Sequence, residues 1–183
     1  MRNLLIAAAC VAAGPALATG LEIDVEGEAN GTVVIDLFED VAPLHVAQIT
    51  QLAEEGQYDG VVFHRVIDGF MAQTGDVQFG RADGDTTQAG MGGSELDDIP
   101  AEFSDELEFT RGMVGMARAQ DPNSANSQFF IMFEDGPFLN GQYTIVGEVT
   151  EGMDVVDAIK RGAGQNGAVE GTPDVMTDVR VTE

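Results

Sequence analysis

The chain has 183 residues and carries 32 Asp and Glu against 8 Lys and Arg, a formal charge of −24. A surface that acidic repels phosphate backbones and anionic headgroups, which excludes nucleic acid and membrane surfaces as expected partners. The single cysteine, Cys10, excludes an internal disulfide framework.

Residues 1–18, MRNLLIAAACVAAGPALA, combine an early arginine, an apolar run and a small-x-small ending at Ala16-Leu17-Ala18. The pattern predicts a secretory signal peptide, too short and alanine-rich for a stable membrane anchor. Lipidation at Cys10 is disfavoured, because no large aliphatic residue stands three positions upstream. Cleavage after Ala18 leaves 165 residues, no cysteine and a charge of 7 − 32 = −25. That length predicts one domain, residues 19–183, with a core large enough to need no covalent staple.

In chain order, the stretch 31–37 alternates Val33, Ile35 and Leu37 with Thr32, Val34 and Asp36, a strand pattern. Asp40 then precedes a helical pattern with Pro43 in its first turn and Leu44, Ile49, Leu52 and Ala53 at helical spacing; Gly56 stops it. Further strands are predicted at 61–66, 70–73, 112–117, 128–133, 143–148 and 175–181. A second helix is predicted over 153–161, with Met153, Val156 and Ile159 on one side, Lys160 and Arg161 at the negative end of the dipole, and Gly162 beyond. The Gly-, Asp- and Ser-rich segment 74–107 reads as a long surface excursion, a length that points to function. Many short strands and two helices predict a closed or sandwiched β fold.

Several motifs lead nowhere. Gly162-Ala163-Gly164-Gln165-Asn166-Gly167 matches G-x-G-x-x-G, but it follows a helix instead of opening one, so it reads as a loop. The 121–126 stretch DPNSAN lacks the glycine and terminal glutamate of a calcium loop and reads as a turn. With only His45 and His64 and no mature cysteine, neither a zinc site nor an activated nucleophile has enough partners. Both histidines read as structural. The segment 63–76, FHRVIDGFMAQTGD, is different. It sets Arg65 among Phe63, Val66, Ile67, Phe70 and Met71, where a guanidinium needs a partner or a task. Composition alone favours an ion pair for Arg65 and simple core packing for its neighbours.

Three segments together carry a resemblance. FHRVIDGFMAQTGD (63–76), GMARAQDPNSANSQFFI (115–131) and PFLNGQYTIVGEVTEGMDVV (137–156) resemble, in order and spacing, the cyclophilins, a family of peptidyl-prolyl isomerases. The resemblance runs over roughly residues 21–182 and is closest to bacterial exported members. It implies a mainly β fold, an eight-stranded antiparallel β-barrel capped by two α-helices, and a periplasmic protein that assists the folding of exported proteins; nothing in the sequence demands more than a monomer. It implies a proline socket of Phe70, Met71, Phe130 and Leu139, a catalytic arginine in Arg65 and a substrate-positioning amide in Gln73. Ala117, Arg118 and Ala119 match the stretch that runs beside the peptide, and Gln128 matches a second pocket glutamine. Proline-containing polypeptides are the implied partners.

The implied reaction rotates a peptide bond and makes or breaks no bond between heavy atoms, so no cofactor or metal is expected. The alternative is a proline-peptide-binding module or holdase that captures without turnover. Two positions depart from the family's best-known members: Phe138 stands where they have tryptophan, and Tyr143 where they have histidine, a change expected in bacterial forms. Because members with that tryptophan bind cyclosporin tightly, Phe138 predicts weak binding here. A cyclosporin titration should give weak inhibition, and tight inhibition would refute this reading of Phe138.

Overall fold

The computed structural model describes residues 19–183; the predicted signal peptide, 1–18, with Cys10, lies outside the described residues. Nine strands form one antiparallel sheet: β1 (Gly20–Glu26), β2 (Gly31–Leu37), β3 (Val61–Val62), β4 (Arg65–Ile67), β5 (Met71–Thr74), β6 (Met113–Met116), β7 (Phe129–Met132), β8 (Ile145–Glu151) and β9 (Val175–Thr182). Their order is β3-β9-β1-β2-β8-β6-β7-β5-β4. The two edge strands, β3 and β4, are joined by only Phe63 and His64, so the sheet must curl to bring its two edges near each other.

The mainly β, barrel-like fold with two helices is therefore the one expected, with nine strands in place of eight. The predicted strand 61–66 breaks in two because the Phe63 N–H donates to Asp174 O on one edge (2.9 Å), while the Val66 N–H donates to Gly167 O (2.7 Å). Strand β1 is an addition. Leu21, Ile23 and Val25 alternate and are all buried against the core.

Period-two alternation divides the apolar residues between two faces. On β5 and β7, Ala72, Phe129 and Ile131 join the barrel interior with Val66, Val114 and Ile35. Their sequence neighbours Met71, Phe130 and Met132 point the other way and form a second cluster with Phe109, Leu139 and Ile145. Each large side chain so buried contributes roughly 1.5–3 kcal/mol. The second cluster becomes the floor of the site.

Helix α1 (Pro43–Glu54) starts at proline, as expected, but neither Asp40 nor the N-cap Ala42 caps it by a side chain. Instead the Glu102 carboxylate, from the excursion, accepts the Leu44 N–H and the His45 N–H, each at 3.1 Å. Leu44 is exposed; His45, Val46, Ile49, Leu52 and Ala53 form the buried face. Gly56, at φ +66°, ends the helix: its N–H donates to Ala53 O and the Gln57 N–H to Leu52 O, a Schellman closure.

Helix α2 (Met153–Ala158) is shorter than predicted. The Lys160 N–H is diverted to the buried Asp174 carboxylate at 2.6 Å, and Ile159 turns extended to reach the core. Lys160 and Arg161 consequently lie beyond the helix, and Arg161 pairs with Asp68 at 2.9 Å.

The 74–107 segment is irregular apart from one 3-10 turn, Thr86–Gln88. It is firmly anchored nonetheless. Buried Asp76 accepts N–H groups from Gln78 (3.1 Å), Phe79 (2.9 Å), Gly90 (2.7 Å) and Gly92 (2.9 Å). Both histidines are buried as structural residues. His45 Nδ1 lies 2.6 Å from Glu102 Oε2, whereas neither ring nitrogen of His64 has a protein partner.

Burial holds the pKa of both imidazoles below the ordinary 6.5, the Glu102 carboxylate opposing this at His45 and Asp76 at His64. The folded protein thus keeps neutral histidines that the unfolded chain protonates as pH falls below about 6.5. In that window the unfolded state binds more protons, so acidification destabilises the fold by up to about 1.4 kcal/mol per pH unit per histidine. Urea unfolding between about pH 7 and pH 5 should show this fall, and a His45→Asn/His64→Asn double variant should flatten it. An unchanged slope in that variant would assign the dependence to carboxylates.

Candidate functional site

One row of cross-strand partners builds the centre of the site. Arg65 pairs with Gln73 across β4 and β5, Gln73 with Phe130 across β5 and β7, and Phe130 with Gly115 across β7 and β6. Directly opposed residues in a ladder project from the same face, so this register brings a guanidinium, an amide and an aromatic ring side by side. Met71 lies two residues before Gln73 on the same face of β5. The 3-10 turn Pro137–Leu139 and the loop to β8 add Phe138, Leu139 and Tyr143 on the far side.

These residues enclose a cavity of about 420 Å³, lined by Arg65, Phe70, Met71, Gln73, Ala117, Arg118, Phe130, Phe138, Leu139, Gln142 and Tyr143. Ten of the twelve residues anticipated from sequence are therefore assembled in one pocket. The other two, Ala119 and Gln128, line an adjoining cleft that shares Gln73, Ala117 and Arg118 with the first.

The walls are stacked aromatics. Phe130 lies 5.7 Å from Phe109 behind it and edge-on to Tyr143 at 5.9 Å, while Phe70 meets Phe138 at 5.4 Å. Phe130, Met71 and Leu139 are buried as a fixed floor, whereas Phe138 is exposed at the rim.

Among the described residues Arg65 has no carboxylate partner, contrary to what composition alone favours. Its Nε donates to Asn166 O at 2.8 Å and its Nη1 to Gln73 Oε1 at 3.0 Å, both neutral acceptors. Among the described residues Nη2 has no acceptor and remains free to donate. Burial lowers the guanidinium pKa, with Tyr143 opposing; arginine stays charged regardless. Gln73 Nε2 donates to Gln128 Oε1 (2.9 Å), and Gln128 Nε2 to Gly92 O (2.8 Å).

The site therefore offers in Arg65 a positive, geometrically fixed donor beside an apolar socket. A family model described as "Cyclophilin type peptidyl-prolyl cis-trans isomerase/CLD" matches residues 21–183. The chain belongs to the cyclophilin-type peptidyl-prolyl cis-trans isomerases. It is 58% identical over 179 residues to a probable peptidyl-prolyl cis-trans isomerase of Brucella suis biovar 1 (strain 1330), covering 93% of this chain and 91% of that protein. It is 38% identical over 166 residues to peptidyl-prolyl cis-trans isomerase B of Escherichia coli (strain K12), covering 84% and 96%. A crystal structure of a Cryptosporidium parvum cyclophilin-type isomerase superimposes with a TM-score of 0.77 at 26% identity, covering 91% of this chain and 99% of that one. A second crystal structure of that protein, TM-score 0.75, was determined in the presence of the dipeptide Ala-Pro.

Some parts of this cyclophilin site escaped the sequence. Gln142 completes the rim, Phe109 backs Phe130, and Asn166 anchors Arg65 from 101 positions away. Asn166 sits in the glycine-rich segment 162–167, read above only as a loop, and no local pattern marks it as an anchor for Arg65. Gly115 carried a signal in its strand context. A Cβ there would meet Phe109 and Phe130 ring carbons at 2.6 Å, so only glycine lets the two rings stack. Gly115→Ala should cost about 1–3 kcal/mol by overpacking. It should also weaken binding of a proline peptide by displacing Phe130, as read by urea unfolding and calorimetric titration. Unchanged peptide affinity would show that the ring's placement does not matter.

Proposed function

We propose that this cyclophilin lowers the barrier to X-Pro rotation by directing the Arg65 guanidinium at the prolyl nitrogen while the apolar socket grips the ring. The observation that carries this reading is Arg65 itself, half-buried, held by neutral acceptors and free of any carboxylate in a strongly acidic chain.

Rotation must overcome a barrier of about 18–20 kcal/mol set by amide resonance. The two X-Pro isomers differ by only about 1 kcal/mol yet exchange over tens to hundreds of seconds. At the twisted geometry resonance is lost and the proline nitrogen carries a localised lone pair. A donor aimed there interacts more strongly with the transition state than with the planar ground state, which is the condition for catalysis. Nε and Nη1 hold the fork rigid and Nη2 supplies the donor. Phe70, Met71, Phe130 and Leu139 hold the ring, and by excluding water they strengthen the guanidinium's field. Gln73 positions the fork and the main chain near Ala117 meets the peptide. The Ala-Pro dipeptide used with the Cryptosporidium relative supports proline peptides as substrates. The leader at 1–18 supports export to the periplasm, where the clients would be newly translocated chains.

A cis-to-trans assay on a short X-Pro peptide tests the mechanism. Arg65→Ala should lower kcat/KM by roughly 10²–10³, the scale of removing one preorganised donor. Arg65→Lys should restore only part of it, because a point charge replaces the fork. Circular dichroism should report an intact fold in both. Unchanged turnover in Arg65→Ala would remove the guanidinium from the reaction, and binding without turnover in the native protein would leave a holdase.

A further inference from the structure

Removal of Arg2 with the leader leaves seven cationic side chains, all among the described residues. Arg81, Arg111, Lys160, Arg161 and Arg180 each lie within 3.7 Å of a carboxylate. The two that do not, Arg65 and Arg118, line the same pocket. The reaction gives Arg65 a task. Arg118 still needs one.

Its guanidinium carbon stands over the Tyr143 ring, 4.4 Å from the centroid. Nε and Nη2 donate to Gln142 O at 3.3 and 2.9 Å, and Nη1 donates to Ala119 O at 2.8 Å. Every acceptor is neutral, so the charge is uncompensated, and one Nη2 N–H remains unspent. The side chain is already ordered by the fold, so a ligand that uses it meets little of that entropy cost. Arg118 stands with Gln73 and Ala117 on the ridge between the proline pocket and the adjoining cleft of about 390 Å³. A carboxylate, Asp98, also lines that cleft and accepts from Asn126 Nδ2 at 3.1 Å. An anionic group is therefore favoured beside Arg118 and disfavoured beside Asp98.

We propose that Arg118 is a specificity-determining residue that favours substrates with an Asp or Glu within two residues of the proline, its carboxylate resting on the guanidinium at the ridge. An extended chain advances about 3.3–3.6 Å per residue, and Arg118 lines the proline pocket itself, so the residues that can reach it are those close to the proline in sequence. This inference rests on the isomerase reading above. The acidic surface repels such peptides at long range, but salt screens that field within about 8 Å at physiological ionic strength. Contact with a half-buried guanidinium is screened less, so the preference is a short-range one.

The test uses X-Pro peptides identical except for Glu, Gln or Lys at each of the two positions on either side of the proline. The value read is the ratio of kcat/KM within each enzyme at physiological ionic strength. At one position at least, the native protein should turn over the Glu peptide about three- to tenfold faster than the Gln peptide, with Lys slowest. Arg118→Gln should flatten the ratio, Arg118→Lys should keep part of it, and Arg118→Glu should reverse it. Because ratios are compared, a general loss of activity in a variant does not imitate the effect. A ratio near one at every position, or a preference that survives in Arg118→Gln, overturns the inference while leaving the isomerase intact. No acceleration of any peptide overturns the isomerase reading and this inference with it.

Discussion

The site depends on one register. Arg65, Gln73, Phe130 and Gly115 are successive cross-strand partners over β4, β5, β7 and β6, and their side chains share the outer face because directly opposed residues must. A slip of one residue in β7 would turn Phe130 into the interior and bring Phe129 out. The register is held from both faces. Phe129 and Ile131 are locked in the barrel core, while the Phe109 ring fits against Phe130 only because position 115 has no Cβ. Stability and site geometry are thus satisfied by the same alternation. That is why strands as short as three or four residues suffice to place the reacting groups.

The second constraint is charge. A guanidinium in a partly dry pocket needs hydrogen-bond partners, and the chain has carboxylates in abundance to serve. A carboxylate at Arg65 would satisfy the guanidinium but, on the mechanism proposed above, would also cancel the field offered to the twisting amide. The acceptors found there, a peptide carbonyl and a glutamine oxygen, fix the fork without neutralising it. The same solution recurs at Arg118, where carbonyls and an aromatic face replace an acid. The five remaining cations are paired on the surface, so positive charge left uncancelled by an acid is confined to one groove of an otherwise acidic molecule.

Much of this was legible in the sequence where the determinants are local. The alternation over 31–37, the stop at Gly56 and the residue order of the three motif segments all depend on neighbours within a few positions. What was not legible depends on distant partners. Helix α2 ends early because Asp174, fourteen positions on, takes the Lys160 N–H; helix α1 is capped by Glu102, not by any residue before it. The strand 61–66 divides because its two halves pair with opposite sheet edges. Strand β1 did carry a local signal in Leu21, Ile23 and Val25, though its acidic residues between them blunt the pattern. Asn166 and Gln142 contribute backbone carbonyls, which no side-chain pattern can announce.

The excursion after Asp76 shows how such a distant contact can govern the reacting group. Four N–H groups converge on the Asp76 carboxylate and fix the backbone around Gly90 and Gly92. The Gly92 carbonyl then accepts from Gln128 Nε2, which turns Gln128 Oε1 toward Gln73; Gln73 Nε2 donates there, which turns Gln73 Oε1 toward Arg65. An amide has one donor end and one acceptor end, so each step leaves no choice for the next. Reversing Gln128 would set its NH₂ against that of Gln73 and its oxygen against a carbonyl. The chain therefore runs in one direction only, from a loop carbonyl to an arginine that must donate. By this route a surface segment with almost no regular structure decides which side of Arg65 is occupied and which is left open to the pocket.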